Sequence, residues 1–216
     1  MELSKRTLGV LKLFASVNPN LVFKVGTKQR TIATDEGVFV EAEFDENVEK
    51  EFAICDLATF LRNLEAAENT SLTLGEKGVT ISSKDVNVNY GYGSVSVIKQ
   101  PPDKSLDIDT AMATFNVTKD QIALIMRFAE INSLPTICVG SDGTNFYLSA
   151  RDKNNQDSVN VKIAVGEAPA GASWEEQISF DRFSKISPID YSIKVVAKAF
   201  TAFIGSRLSF FVAVER

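Results

Sequence analysis

The feature that most constrains the fold is a pattern of elements that occurs twice along the 216 residues. Residues 4–18 and 118–132 each have the apolar spacing of an amphipathic helix, and three stretches of alternating polarity follow each one. A further strand then leads into a short helix, and more strands close each half. Matched positions keep similar separations, which are 114 residues for Ser4 and Thr118, 125 for Asp56 and Asp181, and 121 for Ser71 and Ser192. Such offsets across a whole half indicate an internal duplication.

Charge is distributed unevenly over this pattern. The net charge is −5, which taken alone argues against binding to a polyanion. The four predicted helix segments, 4–18, 56–68, 118–132 and 181–187, nevertheless hold eight of the 23 Lys and Arg but only six of the 28 Asp and Glu. A local basic face on an acidic body can attract a polyanion to one surface while repelling it from the others.

The first predicted helix separates its apolar and basic residues. Ser4 is the expected N-cap, and Asn18-Pro19-Asn20 is expected to end the helix. The predicted buried stripe consists of Leu8, Leu11 and Ala15 with the neighbouring Phe14. A different face carries Lys5, Gly9, Lys12 and Ser16.

The short helices are predicted from acidic caps. Asp56 is expected to cap a helix whose apolar side is formed by Leu57, Phe60, Leu61 and Leu64. Asp181 is expected to cap a shorter helix that Pro188 ends. A catalytic pair of carboxylates is the weaker interpretation of these two aspartates.

Turn residues divide the chain into two domains. Gly75-Glu76-Lys77-Gly78 and Asp142-Gly143 are predicted hairpin turns. Pro101-Pro102-Asp103 interrupts regular structure within the polar segment 93–111. We therefore predict an α+β fold in which residues 1–92 and 112–216 form similar domains, joined by 93–111. Each domain has two helices packed on antiparallel β-sheet.

Composition argues against several classes of function. The chain has no histidine, which removes the usual general base and the Ser-His and Cys-His arrangements. Cys55 and Cys138 are expected to be buried free thiols, too few for a structural zinc site. The acid pairs Asp45-Glu46 and Glu175-Glu176 are expected in solvated loops. We expect no enzymatic activity, cofactor or metal, and a cytosolic location, since no secretory signal or span of about 18 apolar residues is found.

The opening residues resemble a known family. MELSKRTLGVLKLFASVNPNLVFKVG and FAICDLATFLRNLE are similar to the corresponding stretches of T-even bacteriophage sliding clamps, which are DNA polymerase processivity factors. The second half follows mainly in the order and spacing of its elements. The resemblance implies a duplicated DNA-clamp fold and a homotrimeric ring in which six domains surround duplex DNA and helices line the hole.

The same resemblance implies partners and site residues. The implied partners are double-stranded DNA, further copies of the chain, a viral DNA polymerase, an ATP-dependent clamp loader and, as a further candidate, the transcription machinery, all in the host cytoplasm. The implied DNA-facing cations are Lys5, Arg6, Lys12, Arg62, Lys119, Arg127, Arg182 and Lys185. A pocket beside the linker for a partner's apolar tail is assigned to Val95, Val97 and Ile98.

The alternatives concern mainly the role of the exposed charges. Lysines on a helix are most often solvated, and Val95, Val97 and Ile98 could simply form the last strand of the first half. A β-rich structural or virion protein with the same duplication and no DNA role is the second hypothesis. An enzyme of unfamiliar type is the third, which the lack of histidine and of any nucleophile–base pattern disfavours.

Overall fold

The computed structural model describes residues 1–66, 70–102, 106–155 and 157–215. The chain divides into two compact units, Met1–Asp103 and Lys104–Arg216, and the boundary falls within the segment 93–111. None of the described helices is both long enough and apolar enough to cross a membrane.

The order of elements is the predicted one in both units. Unit 1 contains α1 (Lys5–Val17), β1 (Leu21–Phe23), β2 (Gly26–Ile32), β3 (Val38–Val48), β4 (Phe52–Ile54), α2 (Leu57–Glu65), β5 (Ser71–Leu74), β6 (Gly78–Ser82) and β7 (Asn87–Gly91). Unit 2 contains β8 (Ala113–Val117), α3 (Lys119–Ile131), β9 (Thr136–Asp142), β10 (Asn145–Arg151), β11 (Val161–Glu167), β12 (Ser173–Ser179), α4 (Phe180–Phe183), β13 (Tyr191–Val196), β14 (Phe200–Ile204) and β15 (Leu208–Ala213). Among the described residues, each unit has two α-helices, as predicted.

All strand pairs within the units are antiparallel. In unit 1, β1 pairs with β4, β2 pairs with β3, and β5, β6 and β7 lie side by side. In unit 2, β11, β10, β9 and β12 form one sheet, and β8, β13, β14 and β15 lie side by side in that order. The predicted hairpin turns join β5 to β6 and β9 to β10.

The duplication extends to single backbone contacts. An isolated bridge pairs Glu2 with Ser71, and Asn116 pairs with Ser192 at the matched place in unit 2. The short helices also begin alike, since Leu57 N donates to the Pro19 carbonyl at 2.8 Å and Phe180 N donates to the Pro135 carbonyl at 2.7 Å. Contacts this specific are expected from repeated structure rather than from a similar order of elements alone.

A buried glutamine replaces strand pairing between β1 and β2. Lys24 N donates to Gln29 Oε1 at 2.9 Å, and Gln29 Nε2 donates to the Lys24 carbonyl at 2.7 Å and the Gly26 carbonyl at 3.1 Å. The buried Gln29 side chain therefore satisfies partly buried backbone groups where the chain bends between the two strands.

The buried face of helix α1 is rotated around the helix axis from the predicted one. Ser4 caps it by accepting from Thr7 N at 3.1 Å, as expected. Leu8 and Ala15 are only partly buried, so their assignment to the core was wrong. The buried residues are Thr7, Val10, Leu11, Phe14 and Val17. The buried face is shifted towards Val10 and Val17 because α2 packs along α1 in addition to β2 and β3.

Helix α3 is buried on a narrower face. Its buried residues are Ile122, Ile125 and Ala129, which pack on β10 and β11. Phe128 and Ile131 remain 37% and 70% exposed. These two residues, the α3 patch, leave an apolar surface at the C-terminal end of the helix.

The short helices differ from each other. The predicted apolar side of α2 is confirmed, and Asp56 caps the helix by accepting from Thr59 N at 2.8 Å. Hydrogen bonds from the Thr59 hydroxyl and backbone lower the pKa of Asp56. The helix ends at Glu65, and the predicted extension to residues 67 and 68 lies outside the described residues.

The prediction for α4 was wrong in its cap and its length. Ser179, not Asp181, accepts from Arg182 N, at 3.4 Å, and Asp181 lies in the first turn. The helix ends at Phe183, because the following amides bond three residues back instead of four: Lys185 N donates to Arg182 O and Ile186 N to Phe183 O. Pro188 is therefore not what ends it.

The expectations for Cys55 and for the two acid pairs were wrong, because strands distant in sequence determine how exposed these residues are. Cys55 is exposed, whereas Cys138 is buried as expected and burial raises its pKa to about 11. The acid pairs lie in β3 and β12, not in solvated loops. Glu175 accepts from the Tyr147 hydroxyl at 3.0 Å and pairs with Arg151.

Candidate nucleic-acid interface

The exposed face of α1 contains the predicted basic residues. Lys5, Gly9, Lys12 and Ser16 are all exposed, which confirms their separation from the buried side. A Cβ built on Gly9 would meet nothing within 4 Å, so no neighbour in the described structure requires a glycine there. Two turns of helix thus present two lysines around a small residue.

Helix α3 presents a similar face. Lys119, Ala123 and Arg127 are exposed, and Lys119 occupies the place of Lys5 in the duplication. Thr118 and Gln121 fix the start of the helix through a capping box. Lys119 N also donates to Asp190 Oδ1 at 2.7 Å, which leaves the ammonium group of Lys119 at the helix surface.

Two of the α1 cations are paired with acids from other elements. Arg6 donates from Nη2 to Asp45 Oδ1 at 2.7 Å and to the Glu43 carbonyl at 2.7 Å. Lys12 forms an ion pair with Glu65, the last residue of α2. The structure therefore brings Lys5, Arg6 and Lys12 onto one helix but places them in different electrostatic settings.

The cations of the short helices also have neighbours. Arg62 donates to Thr59 Oγ1 at 2.7 Å, and the Thr59 hydroxyl donates to Asp56 Oδ2 at 2.6 Å. Lys185 lies 4.0 Å from Asp181, at the limit of an ion pair, and Arg182 is partly buried.

Three of the eight predicted cations have no such neighbours among the described residues. Within the ranges that the structure describes, the side chains of Lys5, Lys119 and Arg127 make no hydrogen bond or ion pair. They are therefore the cations most available to an anion arriving from solution.

Sequence reasoning missed the acids that pair with α1. Asp45 and Glu65 lie 39 and 53 residues from their partners Arg6 and Lys12, so no local pattern connects them. One signal was present for Glu65. A carboxylate in the last turn of a helix is unfavourable with the helix dipole, which favours a cation partner nearby.

A cavity lies in unit 1 next to the C-terminal end of that unit. Its volume is about 230 Å³, and its lining includes Leu21, Val22, Pro101 and Pro102. The cations at its edge are each paired: Lys24 with Glu51 at 2.7 Å, Arg30 with Glu41 at 2.8 Å and Lys99 with Glu36 at 2.6 Å.

The residues predicted for a partner pocket lie next to this cavity rather than in its lining. Val95–Val97 forms a 3-10 turn, not a strand. Ile98 is buried against Val22 and Ala53, with Val95 packed on them, whereas Val97 is 73% exposed. The start of the predicted linker therefore packs on unit 1.

Solved structures identify the class of fold. The proliferating cell nuclear antigen of Entamoeba histolytica matches with a TM-score of 0.70 and 13% identity, over 97% of this chain and 94% of that one. The nuclear antigen of A. fulgidus, solved with the C-terminal region of FEN-1 bound, matches with a TM-score of 0.72 and 12% identity over 100% and 97%. The DNA polymerase III β subunit of Pseudomonas aeruginosa matches at 0.70 and 11% identity, over 97% of this chain and 62% of that one. The fold is that of the sliding clamps.

Sequence relatives give a narrower assignment. The sliding clamp of Vibrio phage KVP40 is 26% identical over 221 residues, which cover 100% of this chain and 99% of that protein. The sliding clamps of phages RB69 and T4 are 21% and 22% identical, each over 100% of this chain and 97% of the relative. No family model matches the sequence. The chain is a homologue of the sliding clamps of T4-like phages, which confirms the resemblance.

Proposed function

We propose that this protein is a DNA sliding clamp, a ring-shaped processivity factor that encircles duplex DNA without sequence specificity and tethers the replicative polymerase during viral DNA replication. The observation that carries the proposal is the duplicated clamp fold, in which α1 and α3 each turn a cation-bearing face outward. The whole-length similarity to phage sliding clamps supports the same function.

The distribution of charge suits a protein that slides. Contacts to base edges would fix the position of a ring on its sequence, whereas attraction to phosphates does not. Duplex DNA presents about one negative charge per 1.7 Å, so a few exposed cations suffice for diffuse attraction. The net charge of −5 limits attachment elsewhere on the protein, and a closed ring supplies retention.

We propose a homotrimer with six similar domains. Two features of the described residues favour contacts between copies. The α3 patch is apolar and exposed, and a surface of this kind commonly marks an interface. Strands β7 and β11 are at the ends of their sheets, and an open strand edge favours pairing with another chain. A head-to-tail contact that closes on itself forms a ring.

We assign the DNA-facing surface to the eight predicted cations, with Lys5, Lys119 and Arg127 as the strongest contributors because they lack acidic partners. We assign the cavity bordered by Pro101 and Pro102 to the apolar tail of a partner such as the polymerase or the ATP-dependent loader. Leu21 and Val22 supply an apolar surface there, with buried Ile98 behind Val22. In this role the protein needs no catalytic activity of its own.

The test uses the full chain on circular DNA. Labelled protein is loaded onto a nicked circle with the cognate loader and ATP, and its retention is measured before and after the circle is cut. A clamp stays on the circle and runs off the free ends. The cognate polymerase should also make longer products per binding event. Equal loss from circular and linear DNA, together with unchanged product length, would favour the structural or virion protein without a DNA role.

A further inference from the structure

Acidic side chains hold two of the α1 cations at the surface assigned to DNA. Glu65 reaches from α2 to Lys12, and Asp45 reaches from β3 to Arg6. The side chains of Lys12 and Glu65 are 57% and 44% exposed, so this pair is open to solvent and to any ligand that approaches α1. A phosphate that approaches Lys12 must therefore compete with a carboxylate already in place.

In the described part of the second unit, the cations on the equivalent helix are not held by ion pairs. Lys119, the counterpart of Lys5, and Arg127 on the same face of α3 have no partner among the side chains that the structure describes. The duplicated helices thus differ in the availability of their cations rather than in whether they have them.

We propose that Glu65 is a positioning residue that weakens the DNA contact of Lys12 by competing with phosphate for its ammonium group. This inference rests on the proposed function. Sliding needs attraction that is easily broken, and an exposed ion pair is weak enough to exchange with a phosphate. The acid therefore lowers the contribution of Lys12 to binding without removing the cation. Asp45 has the same relation to Arg6, but it also accepts from the Ser4 hydroxyl at 2.7 Å, so Glu65 gives the cleaner test.

The test is a double-mutant cycle on the full chain. Binding to a fluorescently labelled 30-base-pair linear duplex, which can enter a ring from its end, is measured by anisotropy between 25 and 150 mM KCl. The variants are Glu65→Gln, Lys12→Gln and the double variant. If Glu65 holds Lys12, Lys12→Gln should have little effect in the wild-type background. In the Glu65→Gln background, Lys12→Gln should weaken binding by about two- to five-fold more than it does in the wild type, for each subunit. This is the range expected for an exposed ion pair.

A matched control separates this competition from general repulsion. Glu130→Gln removes the same charge from an exposed position on α3, where the described structure gives the carboxylate no cation partner. Either substitution should tighten binding by reducing repulsion, but only Glu65→Gln should change the effect of Lys12→Gln. Glu65→Gln should also steepen the dependence of binding on salt, because one more cation contacts phosphate.

The outcomes are distinct. Equal effects of Lys12→Gln in the wild-type and Glu65→Gln backgrounds would overturn the inference while leaving the sliding-clamp function in place. A wild-type protein that binds no duplex at any salt concentration tested would overturn the inference, and the clamp function would also fall if the loaded protein were lost equally from circular and linear DNA. Melting temperature and native mass are measured for every variant. As a second measurement, the NMR signal of the Lys12 Nζ group should change more when duplex is added to Glu65→Gln than when it is added to the wild-type protein, and equal changes would contradict the inference.

Discussion

Helices α1 and α3 occupy the same place in the two units but are buried differently. Phe14 and Phe128 are matched positions, and their exposed fractions are 0% and 37%. Val17 and Ile131 are likewise matched, at 9% and 70%. The sequence pattern of the two helices is nearly the same, so the difference must come from what surrounds them.

The surroundings differ because the short helices differ in length. Helix α2 has nine residues and packs along α1, whereas α4 has four residues and packs on β12 and β9. In the described part of unit 2, α4 does not pack along α3 to the extent that α2 packs along α1. A duplicated pattern therefore fixes which residues can be buried, and the length of the neighbouring helix decides which of them are.

The largest expected effect follows from this difference in burial. Phe14→Ala should lower the free energy of unfolding by about 3–5 kcal/mol, since it removes a fully buried ring. Phe128→Ala should lower it by clearly less, since this ring is already 37% exposed and leaves a smaller cavity. Urea unfolding followed by circular dichroism, at a protein concentration that gives single chains, measures both. Equal losses would show that the two helices are not buried differently.

The second prediction concerns the α3 patch. Ile131→Asp should leave each chain folded but change the native mass from three chains to one, because a charge is costly to bury in an interface. Val25→Asp is the matched control, since Val25 is 63% exposed in unit 1 and outside the patch. A trimeric Ile131→Asp protein would exclude the patch from the interface.

The third prediction compares the cations of the two helices. Lys5→Glu with Lys12→Glu should shorten retention on nicked circular DNA at moderate salt and leave folding intact, because both positions are off the buried face. Lys119→Glu with Arg127→Glu should shorten retention more, since neither cation is already paired with an acid. Exposed charges act over a Debye length of about 8 Å, so no single lysine should be decisive. If both double variants load and slide like wild type, these helices do not face DNA.

The smallest expected effect is on stability, from substitutions at the exposed middle of helices α1 and α3. Gly9→Ala should stabilise the protein by about 1 kcal/mol, because alanine is the better helix former and the added Cβ meets no atom. Ala123→Gly should destabilise it by a similar amount, since Ala123 is the exposed counterpart. Thermal unfolding of the two variants measures both. A destabilising Gly9→Ala would show that something approaches α1 closely in the folded protein.

Much of the fold could be predicted because it rests on local signals. The order of elements, the caps at Ser4, Asp56 and Thr118 and the apolar side of α2 all depend on residues within a few positions of one another. The predicted stripe of α1 was displaced because the packing of α2 along this helix is not visible in the local pattern. The cap at Ser179 was missed because Asp181, two residues later, is an equally good capping residue by type.

The candidate site was less predictable, for a physical reason. Helical spacing places Lys5 and Lys12 on an exposed face, and the structure agrees. Whether a cation is free depends on acids that the fold brings from distant positions, such as Asp45 and Glu65. The exposure of Cys55 likewise depends on the surroundings of its strand end rather than on its apolar neighbours in the chain.

The buried amide of Gln29 has a consequence for how β2 and β3 align. Gln29 lies opposite Ala42 in this hairpin, and in that register its side chain reaches both backbone groups of Lys24. A slip of one residue would turn the side chain to the other face of the strand. The N–H and C=O of Lys24 would then lose these partners, at a cost below the roughly 1–3 kcal/mol of a fully buried group, because both hydrogen bonds are only partly buried. One side chain in the strand therefore disfavours the misaligned hairpin, independently of the turn that connects its two strands.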